Sequence, residues 1–381
     1  MFESLPQRRA SRNDPHPELD DGEVRRIHYQ AAQAGDVWAE LTDADRADLG
    51  HLAGEFRAML FGFPLGLFTY PAARLLGERY AREPYADEMA WLAKCADGAI
   101  FPRQMLLAQR AYVAAHAAPA ACSSVVVWDE QAGCNRHMRS LDWAGARALG
   151  RATRRFDFVD AQDQRRFQAV GAVGMAGLLT AMKPGFSAAI HYAPWGAWGI
   201  GPGLDPLLLL RQLFEDEAIQ SYAEARAAIT QWRSSAPVFL VLCGLKRDEA
   251  CVVELGLHGE AWVRDSVDGL LVQTNHFEPV RSPFAGRNIE MPDYPLQKVW
   301  LKRVTRRIDD WYCSDLLPNS TRRRGDLESR MRVAMQSGEP LDAAAREAFS
   351  IPPALNFETA HQTLMTPGQN SMRIWARRAQ V

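Results

Sequence analysis

The run Ala121-Cys122-Ser123-Ser124-Val125-Val126-Val127-Trp128, followed by Asp129-Glu130-Gln131-Ala132-Gly133-Cys134-Asn135 and then Arg136-His137-Met138-Arg139-Ser140-Leu141-Asp142-Trp143, organises the rest of the chain. Residues 123–128 and 136–142 are rich in strand formers and flank the polar turn Gln131-Ala132-Gly133, so they predict a β-hairpin. The hairpin carries a thiol (Cys122), a guanidinium (Arg139) and a carboxylate (Asp142) toward a common place. A small residue, Ala121, precedes the cysteine and leaves the thiol room to reach the preceding carbonyl.

A thiol attacks an amide only when a base or a nearby positive charge activates it. If the bond before Cys122 is cut, the new α-amine, with a pKa of about 8, lies beside the thiol. It can take the thiol proton and later deliver it to a leaving amine. Arg139 would lower the thiol pKa, and Asp142 would hold and orient the α-ammonium group. Asn275, at the end of an expected strand, is a candidate side-chain donor to an oxyanion. Taken singly, each residue has a plainer reading. A cysteine on a valine-rich strand suits a core, Arg139 and Asp142 suit a surface ion pair, and Asn275 suits a turn. Their joint order singles them out.

Composition bounds the alternatives. The chain has 381 residues, with 44 Lys and Arg against 46 Asp and Glu. A net charge this close to zero argues against nucleic acid or an anionic membrane as the main partner. No stretch reaches the roughly 18 apolar residues of a membrane span; the nearest, residues 59–70, is interrupted by Pro64. The N-terminus shows no apolar segment of signal-peptide type, so cytoplasmic residence is expected. Six cysteines without C-x-x-C spacing indicate neither a zinc site nor a disulfide framework, and no metal or cofactor is expected.

Outward from the hairpin, residues 1–22 look like a flexible lead-in and residues 23–121 a helical pro-segment. Within that segment, Thr42 and Asp45 resemble a capping box, and further helices are expected at 85–92 and 104–115. Beyond the hairpin, short strands are expected at 155–160, 168–172, 177–182 and 186–192. A Gly- and Trp-rich loop at 195–205 contains Gly199-x-Gly201-x-Gly203, which lacks the strand–turn–helix context of a phosphate loop. Helices at 207–217 and 221–232 follow, the second opened by a Ser221–Glu224 capping box. Strands at 238–243, 250–255, 261–264 and 269–273, helices at 296–311 and 325–335, and a hairpin over 361–375 complete the chain. This alternation suits an α+β fold of two sheets between helix layers.

Four motifs stand in one order: Cys122-Ser123-Ser124-Val125-Val126-Val127, Arg139-Ser140-Leu141-Asp142-Trp143, Lys183-Pro184-Gly185-Phe186-Ser187 and Val272-Gln273-Thr274-Asn275-His276-Phe277. With Pro84-Tyr85-Ala86-Asp87-Glu88, they resemble the N-terminal-nucleophile (Ntn) hydrolases, in the group that holds acid ceramidase, N-acylethanolamine acid amidase and choloylglycine hydrolase. The resemblance implies a four-layer αββα sandwich over residues 122–381, autocatalytic cleavage before Cys122, and hydrolysis of linear non-peptide amides through a thioester. It implies Cys122 as nucleophile, Arg139 and Asp142 beside it, and Asn275 as oxyanion donor. A further arginine of the family falls near Arg287, with Arg281 and Arg303 close by. Where the ceramidase branch carries Asn-Glu, this chain has His191-Tyr192, so the family carboxylate is replaced and these two residues are expected to supply a binding contact.

The expected function is therefore a self-processing cysteine amidohydrolase. Its partner would be a small-molecule N-acyl amide with a lipophilic acyl chain, held by residues 59–70 and the 195–198 loop. The two fragments would stay associated. Acyl transfer to an amine through the same thioester, or a non-catalytic binding relative lacking the glutamate, are the rival readings.

Overall fold

In the computed structural model the strand Val238–Cys243 is buried at all six positions, because both of its faces are covered. Residues 16–61, 84–95, 121–143, 145–195, 203–290, 316–356 and 358–378 are described. Their strands are β1 (Val24–His28), β2 (Ala121–Asp129), β3 (Cys134–Asp142), β4 (Thr153–Val159), β5 (Arg165–Ala172), β6 (Thr180–Lys183) and β7 (Phe186–Tyr192). After these come β8 (Val238–Cys243), β9 (Ala250–Leu255), β10 (Ala261–Asp265), β11 (Leu270–Gln273), β12 (Thr359–Thr366) and β13 (Ser371–Ala376). The helices are α1 (Ala34–Val37), α2 (Asp43–Phe61), α3 (Ala86–Cys95), α4 (Ala146–Arg151), α5 (Pro206–Glu215), α6 (Tyr222–Ile229), α7 (Leu316–Ser337) and α8 (Leu341–Ala348).

The strands form two sheets, one of eight in the order β1-β4-β5-β6-β7-β8-β9-β10 and one of five in the order β11-β2-β3-β12-β13. Strand alternation decides what faces what. In β8, Val238, Leu240 and Leu242 join the core with Leu207, Leu210 and Ala225 of α5 and α6. The alternate residues, Phe239, Val241 and Cys243, meet Val126 of β2 and Leu271 of β11. On the far side of the smaller sheet, Val125, Val127 and Met138 pack on Leu327 and Met331 of α7 and on Ala344 and Ala345 of α8. Helices, sheet, sheet, helices is the expected αββα order.

Most expected elements are present. Both capping boxes form: the Asp45 amide donates to Thr42 Oγ1 at 3.2 Å while Asp45 Oδ2 accepts from the Thr42 amide at 3.0 Å, and the reciprocal pair closes at Ser221 and Glu224. One correction concerns the N-terminal region. Val24–His28, within the expected helical segment, is a strand that pairs in parallel with β4 and widens the large sheet. Five residues are too few to show a helical or an alternating period, and the sheet edge decides their conformation. The helices expected at 104–115 and 296–311 and the glycines at 199 and 201 lie outside the described residues.

The N-terminal region is tied to the sandwich by buried charge. Arg211 of α5, fully buried, donates to both carboxylate oxygens of Glu88 on α3 at 2.7 and 2.8 Å and to Glu215 at 2.7 Å. Trp38 Nε1 donates to the same Glu88 at 3.0 Å, and Tyr85 donates to Glu215 at 2.6 Å with its ring against the guanidinium.

Candidate active site

Strand parity puts Cys122, Ser124 and Val126 of β2 on the face between the sheets. On β3 the matching face carries His137, Arg139 and Leu141; Arg139 stands directly opposite Ser124. Cys122 is 2% exposed. Its sulfur lies 3.7 Å from Arg139 Nη2, and the same nitrogen donates to the Ile190 carbonyl at 3.3 Å. Burial pushes the Cys122 thiol up from its ordinary value. The positive charge of Arg139 pulls it down, the Asp142 carboxylate pushes it up again, and a hydrogen bond from the Asp142 backbone lowers it. Desolvation outweighs the lowering contacts, so the thiol stands above its ordinary value.

Asn275 reaches the Cys122 backbone from the turn after β11. Its Oδ1 accepts from the Cys122 amide at 2.7 Å, and its Nδ2 donates to the Tyr192 carbonyl at 3.1 Å. Helix α7 sets that turn in place: Ser320 Oγ accepts from the Asn275 amide at 2.8 Å, and the Ser320 carbonyl accepts from Thr274 Oγ1 at 3.0 Å. Amide geometry leaves Asn275 Nδ2 a second hydrogen. That hydrogen is the candidate oxyanion donor.

One turn along α7 from Ser320 stands Arg323, also fully buried. Its Nη1 donates to the Cys122 carbonyl at 2.8 Å and to Ser123 Oγ at 2.7 Å, and its Nη2 donates to Asn275 Oδ1 at 3.0 Å. Arg323, which the sequence reading did not single out, therefore sits beside Cys122 and Asn275. Arg287 lies instead with its guanidinium 4.2 Å from the Trp195 ring centroid. The expected helix began at residue 325, two residues beyond Arg323. Yet Ser320, Arg323, Leu327 and Met331 repeat at helical spacing on one buried face, and an arginine on such a stripe is the signal that would have found it.

Asp142 sits on the other face of β3. Ser140 and Thr359 donate to its Oδ1 at 2.6 and 2.9 Å, and Asn356 donates to Oδ2 at 3.0 Å. Burial raises its carboxyl pKa, with Arg323 and these three donors acting against the rise. At the two positions expected to supply a binding contact, His191 Nε2 lies 2.8 Å from Ser124 Oγ, and Tyr192 contributes its backbone carbonyl to Asn275. Cys122, Arg139, Asn275 and Tyr192 thus converge, His191 flanks them through Ser124, and Asp142 approaches from behind the strand. Most of the acyl-binding stretch expected at 59–70, apart from the end of α2, and most of the 195–198 loop lie outside the described residues. Among the described residues no helix is long and apolar enough to cross a membrane, and no cluster of three or more His, Cys, Asp or Glu is arranged to hold a metal.

No family model matches the chain. Acid ceramidase from Balaenoptera acutorostrata scammoni is 26% identical over 213 residues, covering 49% of this chain and 52% of that protein. The chain therefore spans about half the length of this curated relative. Among solved structures, the Caenorhabditis elegans N-acylethanolamine-hydrolyzing acid amidase (NAAA) ortholog aligns at 20% identity with a TM-score of 0.45, covering 65% of this chain and 93% of that one. The likeness to acid ceramidase bears out the group to which the four motifs pointed.

Proposed function

We propose that this chain is an Ntn cysteine amidase that cuts itself before Cys122 and then hydrolyses a linear N-acyl amide through a Cys122 thioester. The observation that carries the reading is the pair of contacts on one residue: Arg139 beside the Cys122 sulfur and Asn275 Oδ1 on the Cys122 nitrogen. In self-cleavage the sulfur attacks the Ala121 carbonyl and the carbon–nitrogen bond breaks. The thiol proton goes to the departing nitrogen, which Asn275 already holds. Water then cleaves the thioester, leaving the Ala121 carboxylate and a free Cys122 with its own amine.

In turnover that amine serves as base and then as acid. It takes the thiol proton as sulfur attacks the substrate carbonyl and returns it to the leaving amine. The free Asn275 Nδ2 hydrogen faces the charge that develops on the carbonyl oxygen. Arg323 fixes Asn275 and the Cys122 carbonyl so that neither has to reorganise. The small-molecule partner is an amide with a lipophilic acyl group, the class that the name of acid ceramidase suggests. The fragment ending at Ala121 stays bound through the buried Glu88–Arg211 contact.

Intact-mass measurement of the purified chain tests this directly. Two fragments split between Ala121 and Cys122 are expected, with Cys122→Ala remaining whole and inactive on N-acyl amides. A wild-type chain that stays uncut and shows no thiol-dependent amide hydrolysis overturns the reading.

A further inference from the structure

Arg139 is the only guanidinium placed on the Cys122 sulfur by the hydrogen bonds among the described residues, and what holds it there is itself unusual. Its Nη1 lies 3.2 Å from Nε2 of His361, a fully buried residue of β12. The other ring nitrogen, His361 Nδ1, lies 3.3 Å from Thr153 Oγ1. Thr153 spends its one hydroxyl proton on the Leu149 carbonyl, to which it donates at 2.8 Å. Toward His361 the hydroxyl can then only accept, so Nδ1 carries the ring hydrogen. Nε2 is left with a lone pair, and Arg139 donates into it.

We propose that His361 is a positioning residue for the nucleophile: held in its Nδ1–H form by Thr153, it anchors Arg139 against the Cys122 sulfur through a neutral acceptor. Neutrality is the point of the arrangement. Arginines inside proteins are usually balanced by carboxylates, which would consume the field that a thiolate needs. Here the described partners of the Arg139 side chain are a neutral ring, a backbone carbonyl and the thiol itself. Its charge therefore acts on the sulfur, opposed through space by the Asp142 carboxylate on the other face of β3. Burial first, and the Arg139 charge second, hold His361 far below the ordinary histidine range, which keeps the ring unprotonated and able to accept. A protonated ring would present a hydrogen to a guanidinium and push it off the thiol.

This inference rests on the nucleophile reading but fails separately from it. The test compares His361→Gln, whose Oε1 can take the place of Nε2 as a neutral acceptor, with His361→Asn, whose amide is too short to reach Arg139. Two quantities are read on the full chain: the rate of cleavage before Cys122 by intact mass, and the thiol pKa of Cys122 from the pH dependence of its 13Cβ resonance in 13C-cysteine-labelled protein, assigned with Cys122→Ala. Loss of a hydrogen bond to a charged group predicts cleavage slowed about 10- to 100-fold in His361→Asn, with the thiol titrating at higher pH. His361→Gln should stay within about threefold of wild type by the same reasoning.

A ring serving only to fill the core would leave the thiol pKa unmoved in both variants. That result overturns the proposal, as does a Gln variant impaired as severely as Asn. Wild-type chain that is never cut would sink the nucleophile reading, while the thiol titration still decides the role of His361.

Discussion

Arg323 donates to the carbonyl of Cys122 at 2.8 Å across 201 positions of sequence. The same guanidinium holds Asn275, so helix α7, the β2 terminus and the turn after β11 meet on one side chain. Removing it leaves three oxygen acceptors in a dry interior without their charged donor.

Replacing Arg323 with Gln is accordingly expected to slow cleavage and amide hydrolysis by about 100-fold or more, since hydrogen bonds to charged groups contribute roughly 1.5–3 kcal/mol each. Arg287→Ala removes a contact with the Trp195 ring that is worth about 0.5–2 kcal/mol, and should keep both rates within about threefold. Steady-state rates and fragment formation for the two variants decide the assignment. Equal impairment would return Arg287 to the site.

Acid should weaken this protein. Burial pushes His137 down to about 3 and His276 down to about 4, and holds His191 and His361 well below the usual range. Such a histidine stays neutral in the fold but takes a proton near 6.5 once the chain unfolds. Its stability contribution is complete above pH 6.5 and is lost as pH falls toward the folded value, at no more than about 1.4 kcal/mol per pH unit for each ring. Asp142 and Glu254, whose pKa values burial raises, act in the opposite sense. Urea unfolding midpoints between pH 7 and pH 5 should decline, and His276→Gln should flatten the slope. A midpoint that rises toward pH 5 contradicts this account.

Arg211→Met should destabilise the chain by about 3–5 kcal/mol, because it strands the buried Glu88 carboxylate without its partner. Once the chain is cut, the same change should release the N-terminal fragment. Size-exclusion chromatography of processed protein reads the outcome: co-elution in wild type, separation in the variant. Fragments that stay together in Arg211→Met would show that other contacts dominate.

Gly185→Ala tests the Pro184-Gly185 turn. A Cβ there would lie 1.8 Å from the Gln220 carbonyl oxygen, inside the segment that joins α5 to α6. Overpacking against backbone costs about 1–3 kcal/mol, so the urea midpoint should fall by a corresponding amount. An unchanged midpoint would mean that the 216–221 segment yields freely.

How much of this was legible beforehand depends on the range of the forces involved. Strand and helix identity follow from local period and capping, so the β2–β3 hairpin, the Ser221 box and the Phe186–Tyr192 strand are readable from neighbouring residues alone. Cys122 and Arg139 come together for the same reason, being cross-strand neighbours within one hairpin. Asn275 was legible through its motif, not through any local rule that binds it to Cys122.

Tertiary packing decided the rest. The docking of α7 on the smaller sheet brought Arg323 to Cys122, and the pairing of β12 with β3 set His361 against Arg139 from a strand more than two hundred residues away. These contacts join segments with no sequence relation, and burial is what makes them strong: in a dry interior a charged donor must find its acceptor or the fold does not close. The sequence by itself determined which chemistry was available, a thiol with a guanidinium beside it. The tertiary structure determined which arginine, which histidine and which face of the strand that chemistry would use.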